Sequence, residues 1–357
     1  MMTSVRRTLS LLFSIAAAFA AENKDFIGAR ACGACHAEQY AAQSRSGHAR
    51  SLFPAAEHPL AARFVASGAD LGDTFQYAIA KRGDLYFRAR KGEDVREKVI
   101  EWAFGAGQQA VTFVSQLDED NYVELRTSYY PEGGLASTPG HQNHTPQSVE
   151  EALGVRYKTF SPRSEILSCF GCHSMGPPSL GEGFAIQPAE LGVRCESCHG
   201  AGRKHSELIA AGKAGAAREA IGNPGRLDAR AQMTFCGECH RPPASGDAAI
   251  DWGDPWNVRH QPLYLVESAC FLKSPGGLTC MHCHDPHGPL RRNDAAYYNG
   301  RCATCHTAGK IPPAEVCKAG EDCSACHMPA VKPQRELSFH NHWIGVYAKA
   351  DPLRPQR

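Results

Sequence analysis

Little in this chain of 357 residues favours one sign of charge: 38 Lys+Arg stand against 37 Asp+Glu, a net of +1. That balance argues against a nucleic-acid binder working through a basic surface, and against an acidic disordered chain. Long hydrophobic runs are missing as well. Apolar residues make up 43%, ordinary for a globular protein, yet no internal stretch reaches the ~18 residues a membrane span needs. Methionine is scarce, with only Met175, Met233, Met281 and Met328 beyond the first two residues. What is abundant is cysteine and histidine, 16 and 17 respectively.

The N-terminus sets the compartment. Arg6 and Arg7 form a positive n-region, Leu9 to Phe19 a short apolar h-region, and Ala18-Phe19-Ala20 a small-x-small cleavage site. Residues 1–20 are expected to be a cleaved signal peptide, giving a periplasmic or otherwise exported protein. A membrane anchor is the competing reading, but the apolar run is short and charge resumes at Glu22, Lys24 and Asp25. Export places the cysteines in an oxidising compartment, where disulfides or haem thioethers can use them.

Fourteen of the sixteen cysteines fall into seven C-x-x-C-H pentapeptides. The first is Cys32, Cys35 and His36; the second Cys169, Cys172 and His173; the third Cys195, Cys198 and His199. The fourth is Cys236, Cys239 and His240, and the fifth Cys280, Cys283 and His284. The last two are Cys302, Cys305 and His306, then Cys323, Cys326 and His327. Random placement at these frequencies gives roughly 0.03 such motifs. The first cysteines are spaced unevenly, from 21 to 137 residues apart, which excludes a solenoid of fixed period. Two cysteines three positions apart on a helical turn can each add to a porphyrin vinyl group, and the next histidine offers the iron an imidazole. Zinc knuckles pair off and need no histidine directly after each one. A redox-active dithiol explains one motif, not seven. The expectation is seven covalent c-type haems (haem c), with those seven histidines as proximal ligands.

Between the first two motifs the pattern changes. Thr74 to Ala80 alternates, Arg82-Gly83-Asp84 turns, and the stretches at Leu85–Arg90, Lys98–Trp102, Ala110–Val114 and Tyr122–Arg126 are rich in aromatic and β-branched residues. Residues 73–130 read as a small antiparallel β-meander. Elsewhere Gly and Pro dominate, with short helices expected at Ala37–Ser44, Ser148–Leu153 and Ser206–Glu219. The division expected is signal peptide 1–20, N-terminal haem-binding segment 21–72, β-rich insert 73–135, hexahaem core 136–330 and C-terminal tail 331–357. The fold class expected is a mainly α/irregular multihaem cytochrome c fold with a haem-packed core, plus the β-meander insert.

The chain resembles the multihaem c-type cytochromes with doubled C-x-x-C-H motifs, the cytochrome c-554-like group. The phrases that carry the likeness are Ser46-Gly-His48-Ala, Gly105-Ala-Gly107, Pro139-Gly-His141, Cys198-His199-Gly-Ala-Gly-Arg-Lys-His205, Cys283-His284-Asp-Pro-His287, Cys326-His327-Met-Pro and Phe339-His340-Asn-His342-Trp343. The resemblance implies periplasmic electron transfer through close-packed haems.

Ten histidines remain for the sixth iron positions, so bis-histidine ligation is the expected state, with methionines left to packing. His48, His141, His205, His287 and His342 are the candidate distal ligands. His144 competes with His141 and His340 with His342, while His260, His282 and His58 are weaker. Each is expected to reach a haem other than its own motif's. Cys270 and Cys317, outside the motifs, are expected to form a disulfide. With ionised haem propionates the mature protein would carry about −8, so a basic docking partner follows. Redox proteins are the expected partners, among them other cytochromes or a membrane quinol-oxidising complex, with no nucleic acid and no stable membrane insertion.

The leading function is electron transfer through closely spaced, mostly bis-histidine haems. The alternative is a multihaem oxidoreductase acting on a small nitrogen or sulfur compound at one open haem. No Cys-x-x-Cys-Lys variant is present to favour that alternative. A third reading, a subunit of a polymeric cytochrome wire, differs only in assembly.

Overall fold

Period-two alternation builds the first half of the chain. In β3 (Gln76–Arg82) and β4 (Asp84–Lys91), Tyr77, Ile79, Leu85, Phe87 and Ala89 point inward, while Arg82, Arg88 and Arg90 stay exposed. With β2 (Ala66–Ala69) and β5 (Asp94–Val99) these strands form a four-stranded antiparallel sheet in sequential order. The strands Leu52–Pro54 (β1), Trp102–Phe104 (β6), Thr112–Asp118 (β7), Asn121–Leu125 (β8) and Gly154–Lys158 (β11) pair in that order as a second antiparallel sheet. The strands β9 (Thr127–Tyr130) and β10 (Gly134–Ser137) add a hairpin.

These elements belong to a computed structural model that describes residues 24–159, 165–244, 249–274, 276–306 and 322–356. The expected signal peptide and Cys317, hence the expected Cys270–Cys317 disulfide, lie outside them. The chain divides into two units, one ending at Gly222 and the next beginning at Asn223, a boundary that falls inside the expected 136–330 segment.

In the first unit the five-stranded sheet is covered on both faces. Phe113, Val123 and Leu125 join Tyr77, Ile79, Leu85 and Phe87 of the other sheet in one core. Leu52, Phe104, Val114 and Tyr122 face the opposite way and pack on Ile166 and Phe170 of the helix Glu165–His173. Ile166 and Phe170 are four residues apart, so they lie on one helical face. That face docks the second cysteine motif onto the sheet.

The second unit is built on short helices. Ala229 and Met233 of the helix Ala229–His240 pack on Leu265, Val266 and Phe271. Val258, Leu263, Tyr264 and Val331 form a further core, flanked by Trp252, Phe339 and Trp343. The hairpin Ala330–Gln334 with Leu337–His340 leads into the C-terminal segment.

The expectation of a mainly α/irregular cytochrome fold with a haem-packed core is overturned. Helices and antiparallel sheets are mixed throughout, the cores are made of side chains, and no group of three or more His, Cys, Asp or Glu poised to hold a metal occurs among the described residues. The reason is that the apolar residues between motifs are enough to bury one another. The single meander is corrected in the same way: the strands divide among two larger sheets and the β9–β10 hairpin, and recruit Leu52–Pro54, Ala66–Ala69 and Gly154–Lys158 from outside the insert. The helix expected at Ser206–Glu219 is two, Arg203–Ala210 and Ala214–Glu219, broken at Gly212 with φ +70°. At Ser148–Leu153 only a single 3-10 turn, Glu151–Leu153, forms. Among the described residues no helix is long and apolar enough to cross a membrane.

Candidate functional site

Every motif sits on or beside a helical turn. The helices are Glu165–His173, Cys195–His199, Ala229–His240, Cys280–Cys283, Ala295–His306 and Cys323–His327; the first motif bridges Ala29–Gly33 and Ala37–Gln43. Asp228 accepts from Ala231 N at 2.8 Å and Asp322 from Ser324 N at 2.9 Å, starting two of these helices with side-chain caps. Helical spacing puts the two cysteines of a motif on one face.

None of the fourteen motif cysteines is fully buried. Among the second cysteines, Cys35, Cys198, Cys239, Cys305 and Cys326 are exposed, while Cys172 and Cys283 are half-buried. Of the first cysteines, Cys302 is exposed, and Cys32, Cys169, Cys195, Cys236, Cys280 and Cys323 are half-buried. Free cysteine is otherwise among the most buried residue types. Apolar side chains fill the cores, so the motif turns, with their sulfurs, are left towards the surface of the units.

Three of the motif imidazoles are oriented by the backbone. Nδ1 donates to Ser51 O at 3.1 Å in His173, to Gly222 O at 2.8 Å in His199 and to Gly345 O at 2.8 Å in His327. A bond at Nδ1 selects the tautomer whose Nε2 carries the lone pair, the form in which imidazole binds a metal. His205 and His342 are held alike, donating from Nδ1 to Ala217 O and His340 O, both at 2.9 Å. His340 donates to Met328 O at 2.8 Å.

Two of these rings face motif histidines. His36 and His205 have ring centres 6.4 Å apart at an interplanar angle of 29°. His284 and His342 are also 6.4 Å apart, at 38°. A ligating imidazole nitrogen lies about 2 Å from its metal, so two imidazoles on opposite sides of one ion have centres roughly 6 Å apart. His48 completes a third neighbourhood. It is exposed on one side, yet burial of its ring pushes the imidazole down, and its charge is felt at His173. Burial, opposed by the His340 carbonyl and helped by His284, pulls His342 down to about 4, leaving it neutral at pH 7. In each case the partner belongs to a motif other than the nearest in sequence, so tertiary structure closes the pairs.

The leading cysteines also meet across motifs. Cys32 lies beside Cys195 and Cys280 beside Cys236, and the interaction pushes the first thiol of each pair up and pulls the second down to about 7. Cys302 approaches Cys323, and burial with that neighbour raises it to about 11. Cys270 is half-buried, its thiol raised by burial, with Cys305 close enough to add to the effect.

Other candidates are used differently. His141 is buried, with Nε2 donating to Glu124 Oε2 at 3.1 Å, and Arg126 donates to its carbonyl at 2.7 Å. His144 lies 6.2 Å from His141 between ring centres, but its Nε2 donates to Glu151 O, so protein already engages Nε2 on both rings. His58 has both nitrogens engaged, accepting from Leu60 N and donating to Gly105 O. His282 caps its helix by accepting from Thr279 N at 3.0 Å. His287 lies in a turn closed by its N–H to Asp285 Oδ1 at 2.9 Å and is in neither ring pair. Glu196 escaped the sequence reading: as a variable position inside a motif it carries no signal, yet its side chain is buried.

The donor set fits a covalently attached haem: sulfurs near the surface at the right helical spacing, Nε2-presenting imidazoles and two facing pairs. No family model, curated protein or solved structure matches the chain.

Proposed function

We propose that this chain is an exported electron-transfer protein carrying seven covalent c-type haems. Seven C-x-x-C-H motifs supply the attachment points, and the observation that carries the reading is the pair of imidazole couples, His36–His205 and His284–His342, each 6.4 Å between ring centres. Haem held there supplies one-electron iron chemistry. The protein's part is ligation and orientation. Backbone carbonyls hold His205 and His342 in one tautomer, and an iron held by two such imidazoles would keep no position for a substrate. Such a site passes electrons and does not convert small molecules. Kinship with the cytochrome c-554-like group is proposed on the same footing, as are periplasmic location and redox-protein partners. A basic partner surface suits the negative holoprotein, and its docking should weaken with salt.

The test is the intact mass of the exported protein under denaturing conditions, paired with electron paramagnetic resonance of the oxidised form. Seven haem masses above the polypeptide and predominantly low-spin iron are expected. Fewer than seven haems, or a mainly high-spin spectrum, would overturn the proposal.

A further inference from the structure

Glu196 lies between the two cysteines of the third motif, and only 3% of it is exposed. Its carboxylate accepts from three separate backbone groups. Ile27 N donates at 3.0 Å to Oε1 and 3.2 Å to Oε2, Gly28 N at 2.9 Å to Oε2, and Gly202 N at 2.7 Å to Oε1. The donors lead to two different parts of the first haem site. Gly28 precedes the helix Ala29–Gly33, and its carbonyl accepts from the Cys32 amide and thiol. Gly202 is the residue before the helix Arg203–Ala210, which carries His205. Cys195 and His199 flank Glu196 in its own motif, and Cys195 touches Cys32. One buried side chain therefore joins the Cys32 attachment point, the His205 that faces His36, and the third motif. No basic side chain forms an ion pair with it among the described residues. Nearby Glu190 holds the same segment through Ala29 N at 2.9 Å, but it is paired to Arg194 at 3.3 Å.

We infer that Glu196 is a positioning residue that sets His205 opposite His36, and that its buried carboxylate, which no cationic side chain among the described residues neutralises, lowers the reduction potential of the haem bound between them. This rests on the haem reading above. A fixed negative charge in a poorly hydrated site stabilises ferric over ferrous iron, because reduction adds a further negative charge nearby. Glu190 shares the mechanical task but not the electrostatic one, since Arg194 neutralises it.

The experiment is spectroelectrochemical titration of the holoprotein and of Glu196→Gln and Glu190→Gln, with haem stoichiometry measured by mass. Wild type without haem would sink the underlying reading alone. Given seven haems in all three proteins, Glu196→Gln should shift the reduction equilibrium of at least one haem tenfold toward the ferrous form, 59 mV for a one-electron couple, with Glu190→Gln close to wild type. Appearance of one high-spin haem in Glu196→Gln would equally support the positioning role, as His205 drifts from His36. Unchanged potentials and spin state in Glu196→Gln, or equal shifts in both variants, would overturn the inference.

Discussion

Replacing Phe170 by alanine tests whether the second motif is held by side-chain packing. Phe170 is fully buried, edge-on to Trp102 at 5.5 Å and Phe104 at 5.0 Å between ring centres. A phenylalanine buries about 150–250 Å², worth roughly 4–6 kcal/mol at about 25 cal/mol per Å², and measured Phe→Ala losses in cores run about 3–5 kcal/mol. A loss of about 4 kcal/mol is expected for the first unit. With a urea dependence of about 2 kcal/mol per M, the midpoint should fall by on the order of 2 M. Far-ultraviolet circular dichroism of the holoprotein during urea titration reads this through the two β-sheets. Val95→Ala, at a site 40% exposed, serves as the comparison and should change stability by under about 0.5 kcal/mol. On the proposed haem reading, the haem count should stay at wild type, because thioether bonds do not depend on packing. A Phe170→Ala loss below about 1 kcal/mol would refute the idea that this helix docks through its apolar face.

On the proposed haem reading, His342→Ala should convert one low-spin iron to high-spin in paramagnetic resonance, whereas His58→Gln should convert none, since protein groups engage both nitrogens of His58. Gly192→Ala should destabilise the first unit and disturb the His48 environment: Gly192 has φ +81°, a Cβ there would strike the Ala49 carbonyl, and the next residue donates to His48 O. Thermal unfolding and the low-spin count would read it, and a wild-type result would refute it. Burial, opposed by the Gly105 hydrogen bond and aided by Arg50, holds the His58 imidazole below its usual 6.5. The unfolded chain therefore binds the extra proton first, so His58's contribution is complete above about pH 6.5 and is lost as pH falls below it. His58→Gln should flatten the urea midpoint between pH 6.5 and more acid values, and an unaltered pH profile would exclude this role.

How much of this was legible beforehand depended on how far apart the interacting residues lie. The C-x-x-C-H pattern is local: two cysteines and a histidine within five positions share a helical turn wherever that turn is placed, so the spacing alone brings them together. The strands at Gln76–Arg82 and Asp84–Lys91 are local in the same sense, because alternation marks a half-buried face. The partition of the strands into two sheets is not local. Val114 and Phe113 are neighbours in the chain that serve opposite faces, and such two-sided burial erases the alternation that would reveal it. The expectation of a haem-packed core failed for a related reason. Scattered residues such as Ile166, Phe170, Met233 and Phe271 look insufficient along the chain and become cores only once distant segments bring them together. With those cores filled, Cys35 and Cys239 come to lie exposed and Cys172 half-buried, a placement their motifs do not encode.

Partner choice among the histidines belongs to tertiary structure altogether. His36 and His205 are 169 positions apart, and nothing in their flanking residues separates His205, which meets a motif ring, from His141, which goes to Glu124. Spacing within one helical turn is a property of backbone geometry, so the seven C-x-x-C-H motifs are written in the chain before it folds. Which imidazole faces which, and the burial of Glu196 among three backbone donors, follow from how remote backbone segments close on one another, and they exist only in the folded protein.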